Sequence, residues 1–300
     1  MGTIIKKAKT QTTIKTVLKK GIYRPMIRSR HPSHAPLRQS MEKLPFRSVI
    51  RLGSLTELND VASKNGNRVE LNSPEAIKNS SCKLKMKQCF TKEEVKTAEW
   101  FTSHNNSKTT FDIFNTDKQL FIDDVQYPIV AKAHFGSRGK GNTLIKSKEQ
   151  FERWMDNKIL SNYIFEKYCN FNKEYRLHVT KNGCFYTCRK MLKQEFKDHP
   201  NSWQRHDDNC VWILEENENF DKPVNWNEII EHCVKAVTSC GLDFGACDLR
   251  VQNNVDGDGK KRHACDFIVV EINSAPSFGA VTLEKYKTEL KNLLIEKHNV

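Results

Sequence analysis

Apolar positions recur along this chain at two spacings, and each change of spacing marks an element boundary. Phe46–Leu52 reads as a short strand that stops at Gly53, and Arg68–Leu71 reads as a second. Asn72-Ser73-Pro74-Glu75 then starts a helix, with Ser73 as cap and Pro74 in its first turn. That helix is expected over 74–90 and carries Lys83, Lys85 and Lys87. Strand, turn, strand and helix in so few residues indicate a small α/β lobe. Tyr127–Ala133 is an apolar strand interrupted by one cation, Lys132, and Asn142–Ile145 resumes a strand. Ser147–Asn157 reads as an amphipathic helix capped by Ser147, and Tyr163–Tyr168 as a strand. In the next strand Glu174, Arg176 and His178 alternate with Tyr175, Leu177 and Val179, so one sheet face is apolar and the other carries polar groups. Gly183–Lys193 continues the meander after an Asn182-Gly183 turn, and Val211–Leu214 is short and strand-like. Asn225–Cys240 and the stretch from Leu283 onward are helical.

The chemistry concentrates near the end. Val269-Val270-Glu271-Ile272-Asn273 is an apolar strand that runs into a carboxylate and an amide, followed by a Ser/Pro/Gly turn. Glu271 and Asn273 are two residues apart and so share a face. Upstream, Gly245–Val251 carries Asp248, and turn residues fill 253–259 between the two strands. A hairpin would set Asp248 beside Glu271. Such a convergence of oxygen ligands suits a hard divalent cation completed by phosphates, whereas a surface hairpin would leave the carboxylates merely solvated. Asn254, Asp256, Asp258 and Gly259 imitate the first half of an EF-hand loop, but Cys265 stands where its closing Glu belongs.

Charge changes the picture at one end only. Residues 1–48 hold twelve Lys and Arg and a single acid, Glu42, so +11 of the net +13 belongs to them and the body is nearly neutral. With four prolines and few large apolar residues, 1–45 reads as a disordered basic arm. A solvated tail, a transit peptide, a docking segment for an acidic partner and a phosphate-contacting nucleic-acid arm are all compatible with it. Lys6 stands at the Ser/Thr position of a myristoylation signal, which argues against that modification. No apolar run reaches membrane-spanning length. The ten cysteines are scattered without a Cys-x-x-Cys pair, which does not indicate zinc and points to a reducing, cytoplasmic setting.

Between two strands, His134-Phe135-Gly136-Ser137-Arg138-Gly139-Lys140-Gly141 makes a positive, glycine-rich flap of the kind that wraps phosphates. It is not a Walker A loop, because Gly141 follows Lys140 and a strand follows the loop. These pieces, in this order, resemble the ATP-grasp superfamily over about Val49 to Val300, nearest to RimK and glutathione synthetase-like ligases and their virus-encoded kin. The resemblance implies an α+β fold with two lobes gripping ATP, divided here as 81–165 and 166–300, preceded by the small lobe at 46–80. It implies nucleotide contacts from Lys83, Lys132 and the flap residues Gly136, Ser137, Gly139, Lys140 and Gly141. The hinge would be Glu166-Lys167-Tyr168, with backbone groups of Glu166 and Tyr168 reading adenine. Glu174 would hold the ribose, and Asp248, Glu271 and Asn273 would hold Mg²⁺ or Mn²⁺. Cys82 replaces the usual acid before the first lysine, and Cys210 replaces the glycine that ends the substrate loop around Arg205.

The implied reaction joins a small-molecule or peptide carboxylate to an amine through an acyl phosphate, releasing ADP and phosphate. Arg250 shares a strand face with Asp248 and is a candidate for the acyl phosphate, while Arg189 and Arg205 are candidates for the acceptor carboxylate. Two other readings remain open: an ATP-grasp kinase that stops at phosphoryl transfer, and a nucleic-acid-binding protein led by its basic arm.

Overall fold

The computed structural model describes residues 21–29, 31–57, 68–136, 139, 141–200, 202–206, 208–215, 220, 222–252 and 263–299. Strand β1 (Met26–Arg28) and helix α1 (Ala35–Ser40) lie inside the stretch expected to be a disordered arm. That expectation is corrected for residues 21–45, which fold onto the body. Ile27, Leu37, Met41 and Leu44 are buried in one core with Leu290, Leu293 and Leu294 from the last helix. Burial of these spaced apolar side chains outweighs a proline-rich, basic composition, which carries no register information. Residues 1–20 lie outside the described residues.

The small lobe therefore begins earlier than residue 46. Strands β1, β2 (Ser48–Arg51) and β3 (Val69–Leu71) form a parallel three-stranded sheet. Beyond it come α2 (Pro74–Ser81) and α3 (Lys83–Lys92), two helices where one was expected. Ser73 caps the first by accepting the Ala76 N–H, and the extended backbone at Cys82 separates it from the second. Their apolar residues Ala76, Ile77, Met86 and Phe90 pack into the same core as Leu177, Val237 and Leu249. The segment 81–95 thus packs with the C-terminal lobe, where the sequence boundary had given it to the N-terminal one.

Six antiparallel strands make the N-terminal lobe: β4 (Trp100–Ser103), β5 (Thr110–Ile113), β6 (Gln119–Phe121), β7 (Ile129–Ala133), β8 (Asn142–Ile145) and, after helix α4 (Lys148–Met155), β9 (Tyr163–Lys167). Ser147 caps α4 by accepting the Gln150 N–H, and Phe151 and Met155 bury its inner face against Phe111 and Phe165. The spatial order β6-β5-β4-β9-β7-β8 places the Lys132 strand directly beside the hinge strand.

The C-terminal lobe is a five-stranded antiparallel sheet in the order β12-β11-β10-β13-β14. Its members are β10 (Lys173–Thr180), β11 (Gly183–Leu192), β12 (Cys210–Leu214), β13 (Phe244–Gln252) and β14 (Asp266–Asn273). Helix α5 (Trp226–Ser239) covers the apolar face of this sheet, and α6 (Ala280–His298) packs on the small lobe. The alternation in β10 sends Tyr175, Leu177 and Val179 into the core and leaves Glu174 and Arg176 facing the other lobe. Among the described residues no helix is long and apolar enough to cross a membrane, and all ten cysteines are free thiols.

Candidate active site

The two large sheets face each other across a cleft with two adjoining chambers, of about 100 Å³ and 390 Å³. Gly139, Lys190, Arg205, Asp248 and Glu271 line both.

The first chamber runs along the hinge. Lys132 enters from β7, two residues before the flap, and its ammonium lies 2.7 Å from Glu166 Oε2 on β9. The other carboxylate oxygen of Glu166 is 3.4 Å from Nζ of Lys87, a fully buried side chain on α3. Burial pushes the Lys87 ammonium down to about 8, against the pull of Glu166. Burial also works against the charge of Glu166, but Lys132 and Lys87 outweigh it and hold that carboxyl below its ordinary value. The sequence places Lys87 on the helix with Lys83 and Lys85 but gives it no role in the site. The available signal was its position one helical turn beyond Lys83, on the same helix face.

At the hinge itself, where backbone groups of Glu166 and Tyr168 were expected to read adenine, the Tyr168 N–H is already engaged. The Tyr168 N–H already donates to Pro128 O at 2.9 Å, and the Lys167 N–H donates to Glu99 O at 2.9 Å. Glu166 contributes a buried side chain to the cation cluster. The first hinge N–H without a hydrogen bond among the described residues belongs to Cys169, which lines the chamber beside Lys167 and Tyr168.

Glu174 reaches the same chamber from β10. Its carboxylate oxygens lie 3.4 Å from Lys190 Nζ and 3.4 Å from Arg250 Nε. Arg250 also donates to the carbonyls of Trp203 (2.7 Å) and Cys169 (3.3 Å), with its guanidinium over the Tyr168 ring. This arginine therefore braces the hinge. The guanidinium beside Asp248 is that of Arg176, while Arg250, the candidate for the acyl phosphate, lines the first chamber with Asp248 and Glu271.

The edge between the chambers is the β13–β14 hairpin. Cross-strand register sets Asp248 opposite Glu271, with Asn273 two pairs further along. Arg176 grips Asp248 with two parallel hydrogen bonds, Nε to Oδ1 at 2.6 Å and Nη2 to Oδ2 at 2.7 Å. Burial disfavours the Asp248 carboxylate, yet Arg176 more than compensates and holds its pKa below the ordinary value. Glu271 is more open, its side chain 38% exposed, and its nearest cation is Lys83 Nζ at 3.6 Å. Lys83 also donates to Gly136 O at 3.1 Å, which ties the first lysine to the flap. Asn273 Oδ1 accepts the Ala275 N–H at 2.9 Å, an Asx turn that aims the amide while leaving its oxygen a second lone pair. Among the described residues no three His, Cys, Asp or Glu side chains converge as a metal cluster, so any cation here would rest on two carboxylates and an amide.

In the second chamber Arg205 donates to Asn172 O at 3.2 Å, and its own carbonyl accepts Lys190 Nζ at 2.5 Å. Asn209 closes this loop on itself by bonding Gln204 O and the His206 N–H, with Cys210 opening β12 directly after it. His31, from the supposed arm, lines the opposite side together with Ser274 and Ser277. For Arg189 the expectation is corrected. It stands one residue from Lys190 and so faces the reverse of the sheet, 2.8 Å from Glu215 and outside both chambers. Of the flap, Gly136, Gly139 and Gly141 are described, whereas Ser137 and Lys140 lie outside the described residues. Gly139 has φ +71°, and a Cβ there would sit 1.5 Å from Gln204 Nε2, so flap and substrate loop meet at a position suited to glycine.

No protein-family model matches the chain, and no curated protein matches it. Solved structures do. A carboxyaminoimidazole ribonucleotide synthase from Aspergillus clavatus complexed with ATP is similar over 83% of this chain and 60% of its own, at 18% identity and a TM-score of 0.55. For a D-alanine–D-alanine ligase from Bacillus anthracis complexed with ATP the values are 83% and 78%, 14% identity and 0.52. For a biotin carboxylase from Campylobacter jejuni they are 82% and 54%, 16% and 0.54. This chain thus spans less than two thirds of the synthase and the carboxylase. At such identities the likeness speaks for architecture, and it agrees with two antiparallel sheets closing on a cleft under a glycine-bearing flap. The chain is an α+β protein with the ATP-grasp fold.

Proposed function

We propose that this protein is an ATP-dependent carboxylate–amine ligase that forms an amide through an acyl phosphate. The observation that carries this reading is that one carboxylate edge, Asp248 opposite Glu271, is shared by two chambers. A nucleotide in the first would present its terminal phosphate at the wall of the second. The Cys169 N–H and the hinge would read adenine, Glu174 would accept from the ribose, and Lys132, Lys83 and the flap would neutralise the phosphates. The substrate carboxylate in the second chamber attacks the γ-phosphorus and ADP leaves. An amine nitrogen then attacks the acyl carbon, loses a proton, and phosphate leaves. Phosphoryl transfer of this kind depends on placement and charge neutralisation more than on covalent help. Arg176 stands where negative charge accumulates between the chambers, and Arg205 and His206 form the polar wall for the second substrate.

Asp248, Glu271 and Asn273 form an all-oxygen donor set that fits Mg²⁺ or Mn²⁺ when phosphates complete the shell. Such an ion would screen the β and γ oxygens during transfer.

The test is a screen of amino acids and short peptides for compounds that stimulate ATP turnover. A ligase releases ADP and inorganic phosphate together, and only when acid and amine are both present. Formation of ADP without inorganic phosphate, the label remaining on a single acceptor, would make the protein a kinase.

A further inference from the structure

A second cavity, of about 500 Å³, lies apart from the phosphate-binding machinery. Its walls are Trp100, Phe101, Phe114, Leu120 and Ile129, with Trp100 and Phe114 stacked 5.3 Å apart. This volume and this lining suit a small molecule with a flat apolar body. Lys167 alone is shared with the lining of the nucleotide chamber, so the cavity sits behind the hinge.

The mouth has a definite sign. Two lysines and three acids border it. Both lysines are engaged: Lys167 lies 3.7 Å from Glu99, while Lys96 lies 3.1 Å from Asp266 and stands over the Phe267 ring. Glu94 and Asp124 remain, both exposed, and neither has an ion-pair partner among the described residues. Glu94 is also costly where it stands. It stands just past the Glu93 cap of α3 at φ +53°, a left-handed position that favours glycine, and it places a carboxylate at the negative end of a helix. An ammonium at this mouth would relieve that second cost.

We propose that this cavity is a binding site for a small aromatic ammonium compound, with its ring between Trp100 and Leu120 and its cation at Glu94 and Asp124. No group assigned to the ligase chemistry other than the hinge residue Lys167 lines it, so its occupant is an effector and not a substrate.

The probe is 1-naphthylmethylamine, compared with the isosteric neutral 1-naphthylmethanol, on the full chain. Binding is followed by calorimetry and by the Trp100 indole N–H resonance, assigned with Trp100→Phe. The amine is expected to bind one to one and shift that resonance, with an affinity roughly two- to fivefold above the alcohol for each exposed carboxylate engaged. Leu120→Trp, which fills the cavity, is expected to abolish the shift. Glu94→Gly is expected to lower the preference for the amine by roughly two- to fivefold, leaving the share due to Asp124, while raising the melting temperature by about 2 °C, because glycine relaxes the left-handed position. The proposal is overturned if the amine leaves the Trp100 resonance unmoved, or if amine and alcohol bind alike to the unmodified chain. It is equally overturned if Glu94→Gly keeps the full preference for the amine. That surface variant decides the matter even where Leu120→Trp fails to fold.

Discussion

Two charged clusters meet at the cleft, and they are built on opposite plans. Lys87, Glu166 and Lys132 are buried, and Glu166 has an ammonium within 3.4 Å of each carboxylate oxygen, so its charge is matched in place and the trio carries +1. Glu271, Lys83 and Asn273 sit at a strand mouth, with Glu271 over a third exposed and 3.6 Å from its nearest cation. Desolvation explains the contrast. A buried charge must be matched in place, whereas an edge charge can wait for a ligand while water solvates it. The first cluster is part of the fold, and the second is where a highly charged ligand gains most.

The contrast breaks most visibly at its buried member. Glu166→Ala leaves Lys87 and Lys132 facing each other without a counter-charge, and is expected to cost on the order of 3–5 kcal/mol in urea unfolding. Wild-type stability in that variant would dissolve the distinction drawn here. Glu271→Gln should behave in the opposite way. Its melting temperature without nucleotide should stay near that of the parent, because an exposed pair contributes about 1 kcal/mol or less. ATP turnover should fall by on the order of 100-fold or more, as expected when charge aimed at a developing phosphate transition state is removed. A Glu271→Gln protein with normal turnover would return the hairpin carboxylates to simple solvation.

The smallest effect is a pH dependence. Lys87 titrates near 8 in the fold and near the ordinary lysine value of about 10.4 when unfolded. Between those values the unfolded chain binds more protons, so stability should rise with pH across that window, by about 2–3 kcal/mol in total. Below about 8 the full cost of the buried ammonium is present. Unfolding curves measured from pH 7 to 10 should show this rise in the parent and lose it in Lys87→Met.

The hairpin was legible because side chains alternate faces with a period of two, so Asp248 and Glu271 had few registers to choose from. Lys132 was legible because one cation inside an apolar strand has no packing use. The arginines were harder. Arg189 and Lys190 are neighbours, and only the parity of β11 against β10 decides which one enters the cleft. That parity depends on the pairing of Glu174 with Lys190, which no local pattern contains. Arg176 was visible on the polar face of its strand, but its partner Asp248 lies 72 residues away. At the hinge, the neighbouring Glu99 and Pro128 carbonyls claim two of the amides, a pairing that no local pattern contains. Residues 21–45 were illegible for a related reason: their burial is against a helix at the far end of the chain.

That last contact governs when the protein can be made. His34 Nε2 lies 2.8 Å from the Pro276 carbonyl, across 242 residues of chain, and its ring packs on Phe278 at 4.6 Å. The segment that carries His34 thus buttresses the turn that follows Asn273. A growing chain emerges from the ribosome N-terminus first, so β1 and α1 emerge long before their core partner α6. Contacts of such sequence separation form late and slow folding, and until they form the apolar residues of the small lobe stay exposed. Completion of the carboxylate edge is therefore tied to the emergence of α6, and until then the nascent small lobe is a segment for a chaperone to shield.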